Sequence, residues 1–142
     1  EADVNLAVAN ELAKLVEYNN MSAMLTRTKD ETVALERRSY ILNATQCAAN
    51  VSIHCNSSPD PGPKYISTFV QAKGRQAERL ANFVQKYLVE ATGWQNGEVR
   101  VADFHMTRET NAPAIIVEMG FISAWRISES EEVGRGHLPR HL

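Results

Sequence analysis

A surplus of positive charge is missing from this chain: 15 lysines and arginines stand against 17 aspartates and glutamates, for a net charge of -2. Proteins that grip nucleic acid through its phosphates need clustered basic side chains, so nucleic acid is excluded as a first partner. Long apolar runs are missing as well. No stretch approaches the roughly 20 residues that span a bilayer, and membrane insertion is not expected. Cysteine is scarce, with only Cys47 and Cys55. Two are too few for a disulfide framework. Each reads as a small buried residue, and metal ligation by Cys55 would lack a C-x-x-C partner. No internal repeat, linker or signal peptide is recognisable.

What is present suits one α/β domain. The 142 residues are 44% hydrophobic, enough for a single core. Val4, Val8, Leu12, Leu15 and Val16 recur with a 3.6-residue period and predict a first helix, ended by Asn19-Asn20. Ala23–Thr26 reads as a short strand, followed by a polar loop to Glu31. Val33, Tyr40, Ile41, Ala44, Cys47 and Ala48 form one face of a second helix. Residues 50–54 alternate as a strand. Residues 57–63 hold three prolines and a glycine, the strongest loop signal in the chain. Residues 65–70 are β-branched and aromatic, hence a strand. A third helix carries Ala77, Leu80, Ala81, Val84, Tyr87, Leu88 and Ala91 on one stripe, with Gly93 as its C-cap. A short strand is expected within Val99–Met106. Ala114-Ile115-Ile116-Val117 reads as a strand buried on both faces. The alternation predicts a layered α/β fold, with a sheet of about five to six strands and flanking helices.

Three charged or titratable residues stand at element ends. Glu1 opens the first helix, His54 closes one strand, and Glu118 closes the most apolar strand. Ligands gather at the carboxyl ends of strands in open α/β sheets. A charge placed beside a buried strand is costly unless paired or used. Singly, each has a plainer explanation: a dipole-complementing glutamate, a hydrogen-bonded histidine, a solvated glutamate.

Taken in order, longer motifs surround these residues. They are Glu1-Ala2-Asp3-Val4-Asn5-Leu6, Leu25-Thr26-Arg27, Leu35-Glu36-Arg37-Arg38 with Asn43, Ser52-Ile53-His54-Cys55-Asn56, Phe104 to Ala114, and Val117-Glu118-Met119-Gly120-Phe121-Ile122-Ser123. The series resembles the zinc-dependent N-acetylmuramoyl-L-alanine amidases of the cell-wall hydrolase type, over residues 1 to about 123. The resemblance implies that Glu1 and His54 are zinc ligands and that Glu118 is the catalytic glutamate. It implies hydrolysis of the amide between N-acetylmuramic acid and L-alanine in peptidoglycan, outside the cytoplasm at the cell wall. Such an enzyme would be a monomer with peptidoglycan as partner. Arg108, Asn111 and Asn56 are candidate substrate contacts. For Arg108 a structural ion pair with Glu109 or another acid competes equally. His105 is expected on a strand, lining the site or packing rather than ligating.

The resemblance also has gaps. The family's first histidine ligand lies in a glycine-rich turn upstream of the position matched by Glu1. The domain is therefore expected to be N-terminally truncated, and these 142 residues alone to bind zinc poorly and hydrolyse little. A non-catalytic peptidoglycan-binding remnant of the same fold is the alternative. Cys55 stands where alanine is common, and Tyr65 and Ser67 where glycine and glutamate are. Residues 124–142, with His137 and His141, do not continue the resemblance and are expected to form a divergent or disordered tail. Residues 57–63 follow His54 closely and by position alone would border the site.

Overall fold

The computed structural model describes residues 1–58 and 65–121. The elements, in chain order, are α1 (Ala2–Tyr18), α2 (Leu35–Thr45), β1 (Asn50–Asn56), β2 (Tyr65–Val70), α3 (Gln76–Thr92), β3 (Gln95–Val101), α4 (His105–Arg108) and β4 (Ala114–Phe121). The four strands form one mixed sheet in the order β1-β4-β2-β3. β1 runs parallel to β4 and β2 parallel to β3, while β2 and β4 are antiparallel.

Side-chain alternation along β4 sorts the core into two layers. Ile115, Val117 and Met119 join Cys55, Val70 and Ala81 on one face, where Leu80, Val84 and Leu88 of α3 and Val4 of α1 pack. Ile116 faces the other way and meets Leu42 of α2, Met106 of α4 and Phe69 of β2. The molecule is thus helix, sheet, helix, with β4 as its most buried strand: Ile115 is fully shielded and Val117 nearly so. This is what an almost uninterrupted apolar strand requires. Of the polar side chains buried with them, Gln85 has its amide fully bonded. Gln85 of α3 accepts from Thr68 Oγ1 at 2.9 Å and donates to the Ile66 carbonyl and to Asn96 Oδ1, each at 2.7 Å.

The structure departs from the sequence expectations in four places. Among the described residues the sheet has four strands rather than five to six, because Ala23–Thr26 makes no ladder. That segment is held by side chains instead: Arg38 donates to Thr26 Oγ1 at 2.8 Å and to the Val33 carbonyl at 3.0 Å. α2 ends at Thr45, since Gln46 takes up a left-handed conformation and leaves Cys47 and Ala48 outside. β3 runs from Gln95 to Val101, so the strand expected within Val99–Met106 is the last part of a longer one, and His105 opens the single turn of α4 rather than sitting on a strand. The α1 stripe forms as a helix, but only Val4 packs on the core, while Leu15 stays 60% exposed. The expected tail, 124–142, lies outside the described residues, as do residues 59–64 of the proline-rich stretch.

Candidate metal centre on strands β1 and β4

β1 and β4 run side by side, and their register sets His54 directly against Glu118. On the other side of β4, Ser67 of β2 is the partner of Glu118. Three residues therefore form one row across the sheet, on the face that Ile116 shares with α2 and α4. Beyond this row the pairing changes. From the His54–Glu118 pair to the Asn56–Phe121 pair, β1 advances two residues and β4 three. β4 carries the extra residue, a bulge of the kind that re-aims side chains near sites. Gly120, with φ +107°, sits in it.

Glu1 enters from the start of α1. Its Oε1 lies 3.2 Å from His54 Nδ1. A carboxylate only accepts, so Nδ1 carries the proton in this pair. Asn5, one helical turn along α1, donates to the same Oε1 at 3.2 Å. Burial pushes the Glu1 carboxyl up, but the bonds from His54, Asn5 and the backbone of Cys55 outweigh it and hold the group below its ordinary range. Glu118 moves the opposite way. Burial raises its carboxyl and the nearby Glu1 charge adds to the rise, while His54 opposes both. Glu118 Oε2 is shielded from solvent and has no hydrogen-bond partner. An unsatisfied buried acceptor costs about 1–3 kcal/mol, so its presence calls for a use.

The pair Glu1–His54 could hold a divalent cation. Donors on one tetrahedral zinc, at bond lengths of about 2.0–2.1 Å, stand roughly 3.3 Å apart. The observed 3.2 Å matches that edge, and a carboxylate with an imidazole suits zinc in kind. The pair supplies two donors of the three that a catalytic zinc takes from protein. No group of three or more His, Cys, Asp or Glu side chains able to hold a metal occurs among the described residues.

The other candidates lie elsewhere. Asn56 ends β1 two residues past His54, on the same side of the strand, and its Oδ1 accepts from the Ser57 N–H at 2.8 Å. His105 Nε2 lies 3.2 Å from Ser39 Oγ of α2, which ties α4 to α2. Arg108 binds Asp103 at 2.8 Å and Glu109 at 2.7 Å, the ion-pair alternative raised by its sequence. Asn111 donates its backbone N–H to Asn43 Oδ1 at 2.8 Å. Arg108 and Asn111 precede β4, whereas Glu118 lies four residues into it from Ala114, about 13 Å along an extended strand. The fold does not bring them to the Glu1–His54–Glu118 cluster. Because the Arg108 pairs are solvent-exposed and screened, Arg108→Ala should leave the thermal midpoint unmoved within measurement error. A drop of several degrees would show that the pairs act as a structural clasp.

Sequence reasoning noted Cys55 and Ser67 only as departures from the family pattern and missed the contact of Asn5 with Glu1, although i+4 spacing on a helix makes those two side chains adjacent.

Comparison with known proteins fixes the lineage of this arrangement. A family model described as N-acetylmuramoyl-L-alanine amidase, Amidase_3, matches residues 1–129. N-acetylmuramoyl-L-alanine amidase CwlM of Bacillus licheniformis is 30% identical over 140 residues, covering 93% of this chain and 53% of the relative. The uncharacterized protein YqiI of Bacillus subtilis is 28% identical, covering 94% of this chain and 65% of its own. The chain thus spans about half to two thirds of these relatives. The crystal structure of N-acetylmuramoyl-L-alanine amidase from Clostridium difficile 630 superposes with a TM-score of 0.81 at 28% identity, over 94% of this chain and 72% of that one. The catalytic domain of CwlV from Paenibacillus polymyxa gives 0.76 at 31% identity, over 85% of this chain and 67% of that one. With the motif series in order, the strand register and a family match over nine tenths of its length, this chain belongs to the N-acetylmuramoyl-L-alanine amidase family Amidase_3.

Proposed function

We propose that this domain hydrolyses the amide bond between N-acetylmuramic acid and L-alanine in peptidoglycan. In this reading Glu1 and His54 are zinc ligands and Glu118 is the general base. The observation that carries it is the row of His54 and Glu118 on adjacent strands, with Glu1 at 3.2 Å from His54 and an unsatisfied Glu118 oxygen beside them. Zinc, when bound, supplies Lewis acidity, acidifying water and polarising a carbonyl. Glu118 does the proton work: its Oε2 accepts a proton from the attacking water and returns it to the departing nitrogen. A carboxyl raised by burial is suited to both halves of that task. The substrate is the wall polymer, so the protein acts outside the cytoplasm, in keeping with relatives named cell wall amidases.

A second reading is a peptidoglycan-binding module without catalysis. It is favoured by one observation, the absence of a three-donor group among the described residues. Titration with zinc separates the two. His54→Ala should weaken zinc binding more than 100-fold, since loss of an outer-shell partner alone costs about 10–100-fold. Unchanged zinc affinity in His54→Ala removes the ligand assignment. Wall binding that persists with no zinc uptake and no release of stem peptide establishes the module.

A further inference from the structure

We propose that Asn5 and Cys55 are positioning residues, which clamp the Glu1 carboxylate against His54 through a closed ring of side-chain bonds. The inference rests on the reading of Glu1 and His54 as metal ligands. The ring runs from His54 Nδ1 to Glu1 Oε1 at 3.2 Å, from Asn5 Nδ2 to the same oxygen at 3.2 Å, and from Cys55 Sγ to Asn5 Oδ1 at 3.5 Å. It closes because His54 and Cys55 are neighbours in sequence.

The topology explains why a ring is possible. Adjacent residues on a strand point to opposite faces, so His54 and Cys55 emerge on opposite sides of β1. Among the described residues β1 is an outer strand of the sheet, in the order β1-β4-β2-β3. The first turn of α1 straddles this edge: Glu1 reaches His54 on one face, and Asn5 reaches Cys55 on the other. Cys55 is 4% exposed and belongs to the core cluster with Ile115 and Val117. One corner of the ring is therefore anchored in the best-packed part of the molecule, while Glu1 is itself exposed.

Hydrogen-bond direction makes each member necessary. Glu1 can only accept, so the amide NH₂ of Asn5 must face it. Oδ1 then faces Cys55 and can only accept, so Cys55 must donate its S–H. Alanine at 55 would fill the space and break the ring. Serine would keep a donor. A ligand held before the metal arrives loses less freedom on binding, and outer-shell partners contribute about 10–100-fold to metal affinity.

The test uses the full chain and zinc alone, read by calorimetry, together with the Asn5 side-chain amide in ¹H–¹⁵N spectra of the metal-free protein. Asn5→Leu should weaken zinc binding about 10-fold. Cys55→Ala should weaken it in the same direction and speed exchange of the Asn5 amide protons, and Cys55→Ser should restore both. Unchanged zinc affinity in Asn5→Leu overturns the proposal, as does an Asn5 amide indifferent to Cys55→Ala. Loss of affinity in Cys55→Ser equal to that in Cys55→Ala also overturns it, because packing would then be the cause. If wild type takes up no zinc, two donors alone do not hold the ion, and the amide exchange decides whether the ring exists.

Discussion

On the proposed function, Glu118→Gln in the zinc-loaded protein should lower the rate of stem-peptide release from purified peptidoglycan about 1,000-fold, the middle of the range for a lost general base. That factor is about 4 kcal/mol of barrier. Glutamine keeps the size and nearly the shape of glutamate, and it cannot take a proton. The loss should fall on kcat, with zinc content unchanged, because Glu118 is assigned to proton transfer and not to the metal. A fall in zinc content instead would make Glu118 a ligand. Activity near wild type would take it out of the mechanism.

The same substitution has a second signature that needs no substrate. In the metal-free protein, burial holds the Glu118 carboxyl above its ordinary value of 4.5. The folded state then binds that proton more readily than the unfolded state does. Ionisation subtracts stability as pH rises through the raised value, and the penalty is absent below 4.5. Glu118→Gln should therefore melt above wild type at neutral pH, and the gap should close in acid. A gap that is constant across pH would assign the effect to packing.

How much of this was legible before the structure differs by element, for physical reasons. α1 and α3 were visible because a 3.6-residue period sustained over about four turns is hard to produce by chance. β4 was visible because a strand covered on both faces needs an unbroken apolar run. α4 is a single turn, too short to carry any period. Ala23–Thr26 has the composition of a strand, yet it is held by Arg38, and no local pattern announces a long-range side-chain clamp. The site divides the same way. His54 and Glu118 were singled out as strand ends, and the motif series linked them; both strands in fact run on, β1 to Asn56 and β4 to Phe121, because pairing continues past the last apolar residue of each run. That they are register partners depends on which strands pair, which sequence order does not reveal: β4, last in the chain, inserts between β1 and β2. Cys55 read as a plain buried residue, and its bond to Asn5 spans 50 positions. Arg108 and Asn111 were drawn toward the site by their place in a matched motif, and the direction of β4 sets them at its other end.

Gly120→Ala should cost about 3 kcal/mol of stability. Two terms add. At φ +107° an L-residue is strained, by about 1–2 kcal/mol. The new Cβ would also overlap the six-membered ring of Trp94, and overpacking of this kind costs about 1–3 kcal/mol. Gly93→Ala is the internal control. Gly93 also has positive φ, +68°, but a Cβ there meets nothing within 4 Å. Its loss should be only the backbone term, so the difference between the two variants, measured by urea unfolding, reports the Trp94 contact. Equal losses would mean that the indole moves aside freely. The site gives the substitution a further consequence. Gly120 occupies the bulge that follows Glu118 by two residues, and that bulge ends the regular pairing of β4 with β1. If alanine forces the extra residue back toward ordinary strand geometry, the end of β4 must shift against β1, and Glu118 moves relative to His54. Gly120→Ala should therefore lose activity under conditions where it remains folded, while Gly93→Ala keeps it. A folded, fully active Gly120→Ala would separate the bulge from the alignment of Glu118 with His54.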